Sequence, residues 1–202
     1  MKQREDRRIG RTRQLLREAL FSLIKEQGFE ALSVQQIIDR ANIGRATFYS
    51  HFDNKEDLLI CGFDELRSAL RERQRIAYAS GGTLDDRVFA FSHDVFTHCD
   101  KFRDVFQIMV AKGSGTTIKR VLHQLVLELM REEIRRSHPR NLRTSIENEA
   151  TIQFLSGGLF GLLMWWLAAR KPCSIDMING TFRCLAISAL RVMTTGIPAT
   201  GV

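Results

Sequence analysis

The sequence predicts an all-α fold with about nine helices. Its 202 residues contain three prolines, none of them before residue 139. Because proline interrupts helix interiors, long helices are possible through most of the chain. Runs of alternating β-branched and polar residues, which are typical of strands, are absent from the sequence. Hydrophobic residues make up 44% of the chain and charged residues 26%, a balance typical of a globular protein with a substantial core.

The N-terminal part predicts a basic arm followed by an amphipathic helix. Seven basic and two acidic residues lie among residues 1–17, and the net charge of the whole chain is +7. Such an arm suits a polyanion such as DNA or RNA, and a solvated, disordered tail is the alternative. Over residues 9–26, apolar side chains from Ile9 to Ile24 recur at helical spacing on one face. Gly28 can end this helix in the left-handed conformation.

Residues 33–52 predict a helix-turn-helix. Ser33 can cap a short helix over residues 34–40, and Asn42 suits a tight turn because asparagine tolerates the left-handed conformation. Gly44 can cap a second short helix that ends near residue 51. Two short helices joined by such a turn define the motif, and its second helix enters the major groove of DNA. The side chains of this helix that we expect to be exposed are Arg45, Thr47, Tyr49, Ser50 and His51.

Capping signals divide the rest of the chain into further helices. Asp53 or Asn54 can start a long helix that runs to about residue 79. Thr83 and Asp86 resemble a capping box for a helix over residues 84–98, and Asp100 can cap the next one. A strongly periodic helix is expected near residues 118–134, followed by a long helix that Thr144 caps. Pro172 and Ser174 mark the passage to the last helix.

The cysteines and histidines predict no metal site. The four cysteines are scattered without a C-x-x-C pair, and the N-terminus lacks the apolar core of a signal peptide. Free thiols in a reducing cytoplasm are therefore expected. The spacing of His93, His98 and Cys99 does not bring them onto one helix face.

Several short motifs follow one another in a fixed order between residues 11 and 59. They are Gly28-Phe29, Ser33-Val34, Ile37-Ile38, Ala41-Asn42-Ile43 and the run from Thr47 to Leu58. In this order they resemble the tetracycline-repressor (TetR) family of DNA-binding regulators. Ile38 and Asn42 depart from the family pattern, which usually has alanine and glycine there, and neither change threatens the fold.

The resemblance implies roles for the exposed residues of the motif. Arg45 and Thr47 are placed to reach base edges, and arginine suits a bidentate contact with guanine. Tyr49, His51 and Lys55 are placed for contacts with DNA phosphates. Alternatively, Tyr49 and His51 would cover the side of the three-helix unit that the first helix forms with the helix-turn-helix. The expected DNA-binding set is completed by Ser33, Ser50 and Arg11.

Residues 152–169 are apolar on all sides. A transmembrane span is possible by length, but a helix placed between its own core and a partner subunit needs the same composition. The stretch around residues 154–167 also resembles TetR members related to the dihydroxyacetone-kinase regulator, which implies a two-helix dimer surface. The expected interface residues are Phe154, Gly157, Gly158, Gly161, Leu162, Trp165, Phe182, Leu185 and Ala189.

An effector pocket, if present, is expected among the central helices. Aromatic residues there are equally typical of a plain core, and His93, His98 and Gln107 are the polar candidates. The expected lining residues are Phe63, Phe89, Phe91, Phe96, Phe102, Phe106 and Met109.

The resemblance thus implies a DNA-binding helix-turn-helix domain at residues 1–60, with a flexible basic arm at 1–8, and an effector-binding and dimerisation domain at 61–202. We expect a cytoplasmic, homodimeric transcriptional regulator. It would be a repressor that an effector releases from a palindromic DNA operator. Some relatives respond to a protein instead, so an activator or co-regulator that acts through a protein partner without a small-molecule ligand is the alternative.

No enzyme activity or cofactor is expected. The sequence has neither a glycine-rich phosphate loop nor a nucleophile elbow. The acidic pairs Asp85-Asp86 and Glu132-Glu133 are expected to serve as helix caps or solvated faces.

Overall fold

The structure is a computed structural model that describes residues 2–81, 83–111, 116–137, 145–169 and 172–195. All regular secondary structure in these ranges is helical, which confirms the predicted all-α class. Ten helices occur there, one of them only four residues long. They are α1 (Lys2–Gln27), α2 (Val34–Ala41), α3 (Arg45–Tyr49), α4 (Lys55–Ala79), α5 (Leu84–Arg87), α6 (Ser92–Lys101), α7 (Arg103–Ala111), α8 (Thr116–Ser137), α9 (Ser145–Ala168) and α10 (Ile175–Thr195).

Helix α1 begins seven residues earlier than the sequence predicts. It starts at Lys2, so the residues expected to form a flexible arm continue the first helix instead. Ile9 is 37% exposed, whereas Leu16 and Leu20 are fully buried. The buried face of α1 therefore starts near Leu16, and residues 7–15 before it form a basic part of the helix without a buried side chain.

The helix predicted over residues 84–98 is interrupted. Its predicted start is correct, because the Thr83 hydroxyl accepts from the Asp86 N–H at 3.2 Å while Asp86 accepts from the Thr83 N–H. Phe89, however, has a φ of 58°, a left-handed conformation that ends α5 and begins a turn. Asp100 lies inside α6 rather than at a cap, and the next break falls at Phe102. The predicted cap at Thr144 lies outside the described residues.

The chain forms two compact units. The first unit comprises residues 1–66 and 102–122, and the second comprises residues 67–101 and 123–202. Helices α4 and α8 contribute residues to both. The predicted boundary at residue 60 falls inside α4, and residues 102–122 group with the helix-turn-helix rather than with the C-terminal part.

The core of the first unit joins α1, α2, α3 and the start of α4. Full burial of an aliphatic or phenyl side chain stabilises a fold by about 1.5 to 3 kcal/mol, so this cluster is the main support of the short helices. The fully buried members are Leu16, Leu20, Ile24, Ile37, Phe48, Leu58 and Leu59.

The core of the second unit is aromatic. The rings of Phe96 and Trp166 meet edge to face with centroids 5.8 Å apart, and those of Phe89 and Phe182 lie 5.5 Å apart. The buried indole N–H of Trp166 donates to the Cys173 carbonyl at 3.0 Å, which satisfies its one polar group. Together these contacts join α6 to α9 and the Phe89 turn to α10.

Candidate nucleic-acid interface

Helix α2 begins with a complete capping box. The Ser33 hydroxyl accepts from the Gln36 N–H at 3.3 Å, and the Gln36 side chain accepts from the Ser33 N–H at 2.9 Å. This confirms Ser33 as the predicted N-cap. The same hydroxyl donates to Gln36 Oε1 at 3.0 Å, so its hydrogen is already used inside the protein.

The turn between α2 and α3 has the predicted left-handed residue. Asn42 has φ 51° and ψ 48°, and its N–H donates to the Asp39 carbonyl at 3.2 Å. The Ile43 N–H donates to the Ile38 carbonyl at 3.0 Å, which closes the turn. Gly44 then takes an extended backbone and begins α3 as its N-cap.

Helix α3 is held to the first unit by one buried residue. Phe48 is fully buried, and its ring lies 5.9 Å from that of Phe52. Arg45, Thr47 and Tyr49 are all exposed. Because α3 has five residues and a single buried anchor, most of its surface is available to a partner.

Two exposed side chains of α3 contact each other. The guanidinium of Arg45 lies 5.7 Å from the centre of the Tyr49 ring, one helical turn away. Such a cation–π contact limits the freedom of the arginine while leaving its five N–H donors available. The Ser50 hydroxyl is less available, because it donates to the Thr47 carbonyl at 2.7 Å.

Lys55 requires a correction, because its ammonium group is occupied. It donates to the backbone carbonyls of Phe29, Glu30 and Leu32 at 3.0, 3.0 and 2.8 Å. A lysine has three N–H donors, so in this geometry none remains for a phosphate. We therefore remove Lys55 from the expected DNA-contacting set. It ties the start of α4 to the segment between α1 and α2.

His51 is half-buried and packs beside the core. Its ring lies 6.2 Å from that of Phe52. This position matches the alternative in which His51 covers the side of the three-helix unit.

Exposed arginines on α1 extend the basic surface. Arg7, Arg8, Arg11 and Arg13 are exposed, and the Arg13 guanidinium lies 5.8 Å from the centre of the Phe52 ring. Arg13 carries no sequence signal that singles it out for the site. Only the packing against Phe52 shows that it lies beside the helix-turn-helix.

Another arginine of the motif is structural. Arg40 holds Glu26 through two hydrogen bonds of 2.7 and 2.8 Å and also donates to the Ser22 hydroxyl. The hydrogen bond from Arg40 holds the pKa of the Glu26 carboxyl below its usual value. This pair fastens α2 to α1.

The residues expected to line one pocket are divided between the two units. Phe63, Phe102 and Phe106 belong to the first unit, where Phe102 stacks on Phe21 with centroids 5.4 Å apart. Phe89, Phe91 and Phe96 are fully buried in the second unit. Phe63 and Phe106 are also buried, whereas Phe102 is half-buried, and the side chain of Met109 lies outside the described residues.

The polar residues expected in the effector pocket also lie in different environments. Burial and the nearby Lys101 lower the pKa of His98 from 6.5 to about 4. The half-buried His93 approaches Asp176 at 3.2 Å, and Gln107 belongs to the first unit. Glu133, expected on a solvated face, is instead fully buried.

Most of the expected dimer residues lie exposed in the second unit. Phe154, Trp165 and Leu185 are 69%, 52% and 61% exposed. Phe182 is a correction, because it is buried against Phe89. Leu162 and Ala189 are half-buried, while Gly157, Gly158 and Gly161 are exposed. The sequence analysis missed Ile146, Met177 and Val192, which are large, apolar and exposed on the same two helices.

Helix α9 is apolar enough to be compared with a membrane span. By length and composition alone, residues Ile146–Ala168 form the one helix of the described chain that could cross a membrane. Many of its residues are buried inside the second unit, among them Leu159 and Leu163. A core helix passes the same test.

These features define a class of protein, namely all-α chains in which the second helix of a helix-turn-helix is exposed to a partner. Residues 16–60 match the model of the family described as bacterial regulatory proteins, tetR family. An uncharacterized HTH-type transcriptional regulator of Bacillus subtilis (strain 168), YxbF, is 44% identical over 55 residues, which are 27% of this chain and 14% of that protein. The aligned part thus covers only a small share of this curated relative.

Solved structures share the fold along most of the chain. A protein described as a TetR-family transcriptional regulator from Syntrophomonas wolfei has a TM-score of 0.70 at 16% identity, over 94% of this chain and 98% of that one. The dihydroxyacetone kinase operon activator DhaS has a TM-score of 0.63 at 14% identity, over 90% and 97%. Thermus thermophilus FadR, a TetR-family repressor in complex with lauroyl-CoA, has a TM-score of 0.60 at 19% identity, over 94% and 100%.

Over residues 16–60 the chain is therefore similar to the bacterial regulatory proteins of the tetR family, and this part contains the helix-turn-helix. The low identity to the solved structures makes them evidence for the fold alone.

Proposed function

We propose that the protein is a homodimeric repressor that binds a palindromic DNA operator and leaves it when an effector binds. The observation that carries the DNA-binding part is the surface of α3. Arg45, Thr47 and Tyr49 are exposed there while Phe48 alone anchors the helix. A helix exposed in this way can enter the major groove of DNA.

The exposed residues divide by chemistry into base readers and phosphate contacts. Arg45 offers two parallel donors to the O6 and N7 of a guanine, and Thr47 offers a hydroxyl and a methyl group. Tyr49, Arg11 and Arg13 are suited to phosphate oxygens, which fix the register without reading sequence. Ser33, Ser50 and His51 contribute less, since their side chains are engaged within the first unit.

The proposed partner for the apolar surface of the second unit is a second copy of the chain. On α9 this surface comprises Phe154, Gly157, Gly161 and Trp165, and α10 adds exposed Leu185. Exposed apolar side chains that recur on two long helices are typical of subunit interfaces. A homodimer also presents two copies of α3, which matches the symmetry of a palindromic operator.

A cytoplasmic location follows from this function, because the operator is chromosomal DNA. The competing interpretation of α9 as a membrane span predicts a protein that needs detergent to leave the membrane fraction. Recovery of the full chain in the detergent-free supernatant after ultracentrifugation would support the dimer helix. Its confinement to the pellet together with membrane lipid would contradict it.

Selection of bound sequences from random DNA tests the main proposal. The expected result is enrichment of a palindrome whose half-sites lie about one helical turn apart. Arg45→Ala protein is the matched control, and it should enrich a sequence with one relaxed position per half-site. Failure to enrich any sequence would overturn the proposal.

Transcription in vitro from a promoter that carries the selected site then separates repression from activation. Reduced transcript with the regulator and polymerase alone supports a repressor. Increased transcript in the same reaction would instead favour an activator, and an increase that requires an added protein partner would favour the activator that acts through such a partner.

A further inference from the structure

A buried polar cluster joins α4 to α8 in the second unit. Gln74 and Glu133 are both fully buried. Gln74 Nε2 donates to Glu133 Oε2 at 2.9 Å and to the Leu129 carbonyl at 3.2 Å, and the Tyr78 hydroxyl donates to Glu133 Oε1 at 2.5 Å. The backbone N–H of Phe89 also donates to the Glu133 carboxylate.

One acceptor in this cluster has no donor. Gln74 Oε1 is buried and lacks a hydrogen-bond partner within the described residues. Turning the amide round would not help, because both hydrogens of Nε2 already serve the Leu129 carbonyl and Glu133. A buried acceptor without a donor is unfavourable, so this position favours any group that brings an N–H or O–H.

The Glu133 carboxyl lies beside this acceptor. Burial raises the pKa of this carboxyl, which the hydrogen bonds from Tyr78, Gln74 and the Phe89 backbone and the charge of Arg136 oppose. Both oxygens of Glu133 accept hydrogen bonds from side chains of α4. An ammonium group that entered here could donate to a carboxyl oxygen and to the unused amide oxygen together.

We propose that Gln74, Tyr78 and Glu133 form the polar contact point of the effector site, and that the effector carries a primary ammonium or a similar cationic donor group. This inference rests on the proposed effector-released function and deepens it. The ammonium would donate to Gln74 Oε1 and to Glu133 at the same time. An anionic head group is disfavoured, because it would bring further acceptors, and no donor, to a buried acceptor that already lacks a donor.

The cluster lies within reach of solvent through one side chain. Tyr78 is half-buried, and the Arg87 guanidinium lies 5.8 Å from the centre of its ring. An incoming ammonium can replace the Tyr78 hydroxyl as donor to Glu133, which lets that ring move aside. Gln74 and Tyr78 belong to α4, the continuous helix that begins at Lys55, so binding would act directly on that helix.

Three probes with one apolar body test the head-group chemistry. They are 4-phenylbutylamine, 4-phenylbutan-1-ol and 4-phenylbutyrate, each titrated calorimetrically into the full chain. We expect the amine to bind saturably, one molecule per chain, and at least about tenfold more tightly than the carboxylate. Absence of saturable amine binding, or equal affinity for the carboxylate, would overturn the proposal without any variant.

Variants then locate the site. Glu133→Gln and Gln74→Met should each weaken the binding of the amine by about tenfold. Glu132→Gln, the same change on the adjacent half-buried residue, should leave the affinity within about twofold. Amine affinity that is unchanged in a folded Glu133→Gln or Gln74→Met protein, as judged by circular dichroism, would contradict the assignment.

The proposed function and the proposed effector class can be disproved independently of each other. Operator selection is carried out without any amine. A chain that enriches a palindrome but binds no amine would overturn only the effector class, and a chain that enriches no DNA would overturn the proposed function.

Discussion

The ammonium of Lys55 donates a hydrogen bond to the backbone carbonyl of Leu32 across 2.8 Å, and it makes two further bonds of 3.0 Å to the same segment. The ammonium also lies 4.8 Å from the centre of the Phe29 ring. The side chain thereby donates to three carbonyls between α1 and α2 that accept no hydrogen bond within a helix. One residue at the start of α4 thus closes the three-helix unit.

Replacement of Lys55 by methionine should therefore lower stability rather than remove a DNA contact. Methionine keeps the length of the side chain but removes the donor to all three carbonyls, of which the Phe29 carbonyl retains a hydrogen bond from the Leu32 N–H at 3.2 Å. We expect the free energy of unfolding to fall by about 2 kcal/mol in a urea titration.

Lys25→Met is the matched control, since Lys25 is exposed and only approaches Asp104 at 3.7 Å. It should change the free energy of unfolding by less than about 0.5 kcal/mol. The salt dependence of DNA binding by folded Lys55→Met protein should equal that of the wild type. A slope reduced by about one would restore Lys55 as a phosphate contact.

Arg45→Ala and Arg11→Ala should weaken DNA binding in different ways. Loss of Arg45 removes a base contact, so we expect a loss of about 1 to 3 kcal/mol that is confined to one position of each half-site. Loss of Arg11 removes a phosphate contact and should weaken all sequences equally.

Binding isotherms at several salt concentrations, with the operator and with single-base variants, distinguish the two. The salt slope should fall by about one for Arg11→Ala. Equal weakening of every DNA sequence by Arg45→Ala would show that Arg45 does not read bases.

Substitution of two phenylalanines of the second unit should affect different properties, namely stability for Phe182 and dimerisation for Phe154. Phe182 is buried against Phe89, so Phe182→Ala should cost about 3 to 5 kcal/mol of stability. Phe154 is exposed, so Phe154→Asp should leave the helical content unchanged and shift the dimer to monomer in sedimentation velocity.

Ile60→Asp controls for the general effect of an added charge, because Ile60 is also an exposed apolar residue but lies in the first unit. It should leave the sedimentation coefficient of the dimer unchanged. If Phe154→Asp remains a dimer at the lowest measurable concentration, α9 is not the proposed interface.

His98 should make the folded state sensitive to mild acid. Its pKa falls from 6.5 to about 4 because the ring is buried and Lys101 lies near it. Between these values the unfolded chain takes up a proton that the folded chain does not. Stability contributed by the neutral ring is thus present above pH 6.5 and is lost as the pH falls toward 4.

Unfolding free energies at neutral pH and near pH 4.5 measure this effect. The wild type should lose about 2 kcal/mol more than His98→Leu, after a discount for partial exposure of the ring. The His93→Gln variant, which changes another histidine of the same helix, should follow the wild type. An identical acid response in His98→Leu would assign the loss to other groups.

Local backbone signals made the helix-turn-helix predictable from sequence. Ser33 at the start of α2, Asn42 in the left-handed turn and Gly28 after α1 each satisfy a conformational need of their own position. The apolar spacing of α1 and α2 likewise reflects which face is buried. These requirements involve neighbours along the chain, and a sequence displays them directly.

The contacts that the sequence did not reveal join residues far apart in the chain. Lys55 reaches carbonyls about 25 residues earlier, and Glu133 meets Tyr78 55 residues away. Phe89 adopts a left-handed backbone that its residue type does not favour. Besides local hydrogen bonds from Ser92 to its carbonyl, it makes tertiary contacts with Glu133 and Phe182. The periodicity of apolar residues predicts which face of a helix is buried, but not which element packs against that face.

The open glycines of α9 have a consequence for the natural variation of this protein. A Cβ atom built on Gly157, Gly158 or Gly161 would meet no heavy atom within 4 Å. The folded subunit therefore imposes no steric limit on alanine at these sites, and alanine would even favour the helix. In a saturation-mutagenesis library, selection against alanine at these positions would then show that another molecule packs against α9 in the cell. Mutational tolerance at these three positions becomes a reporter of assembly rather than of folding.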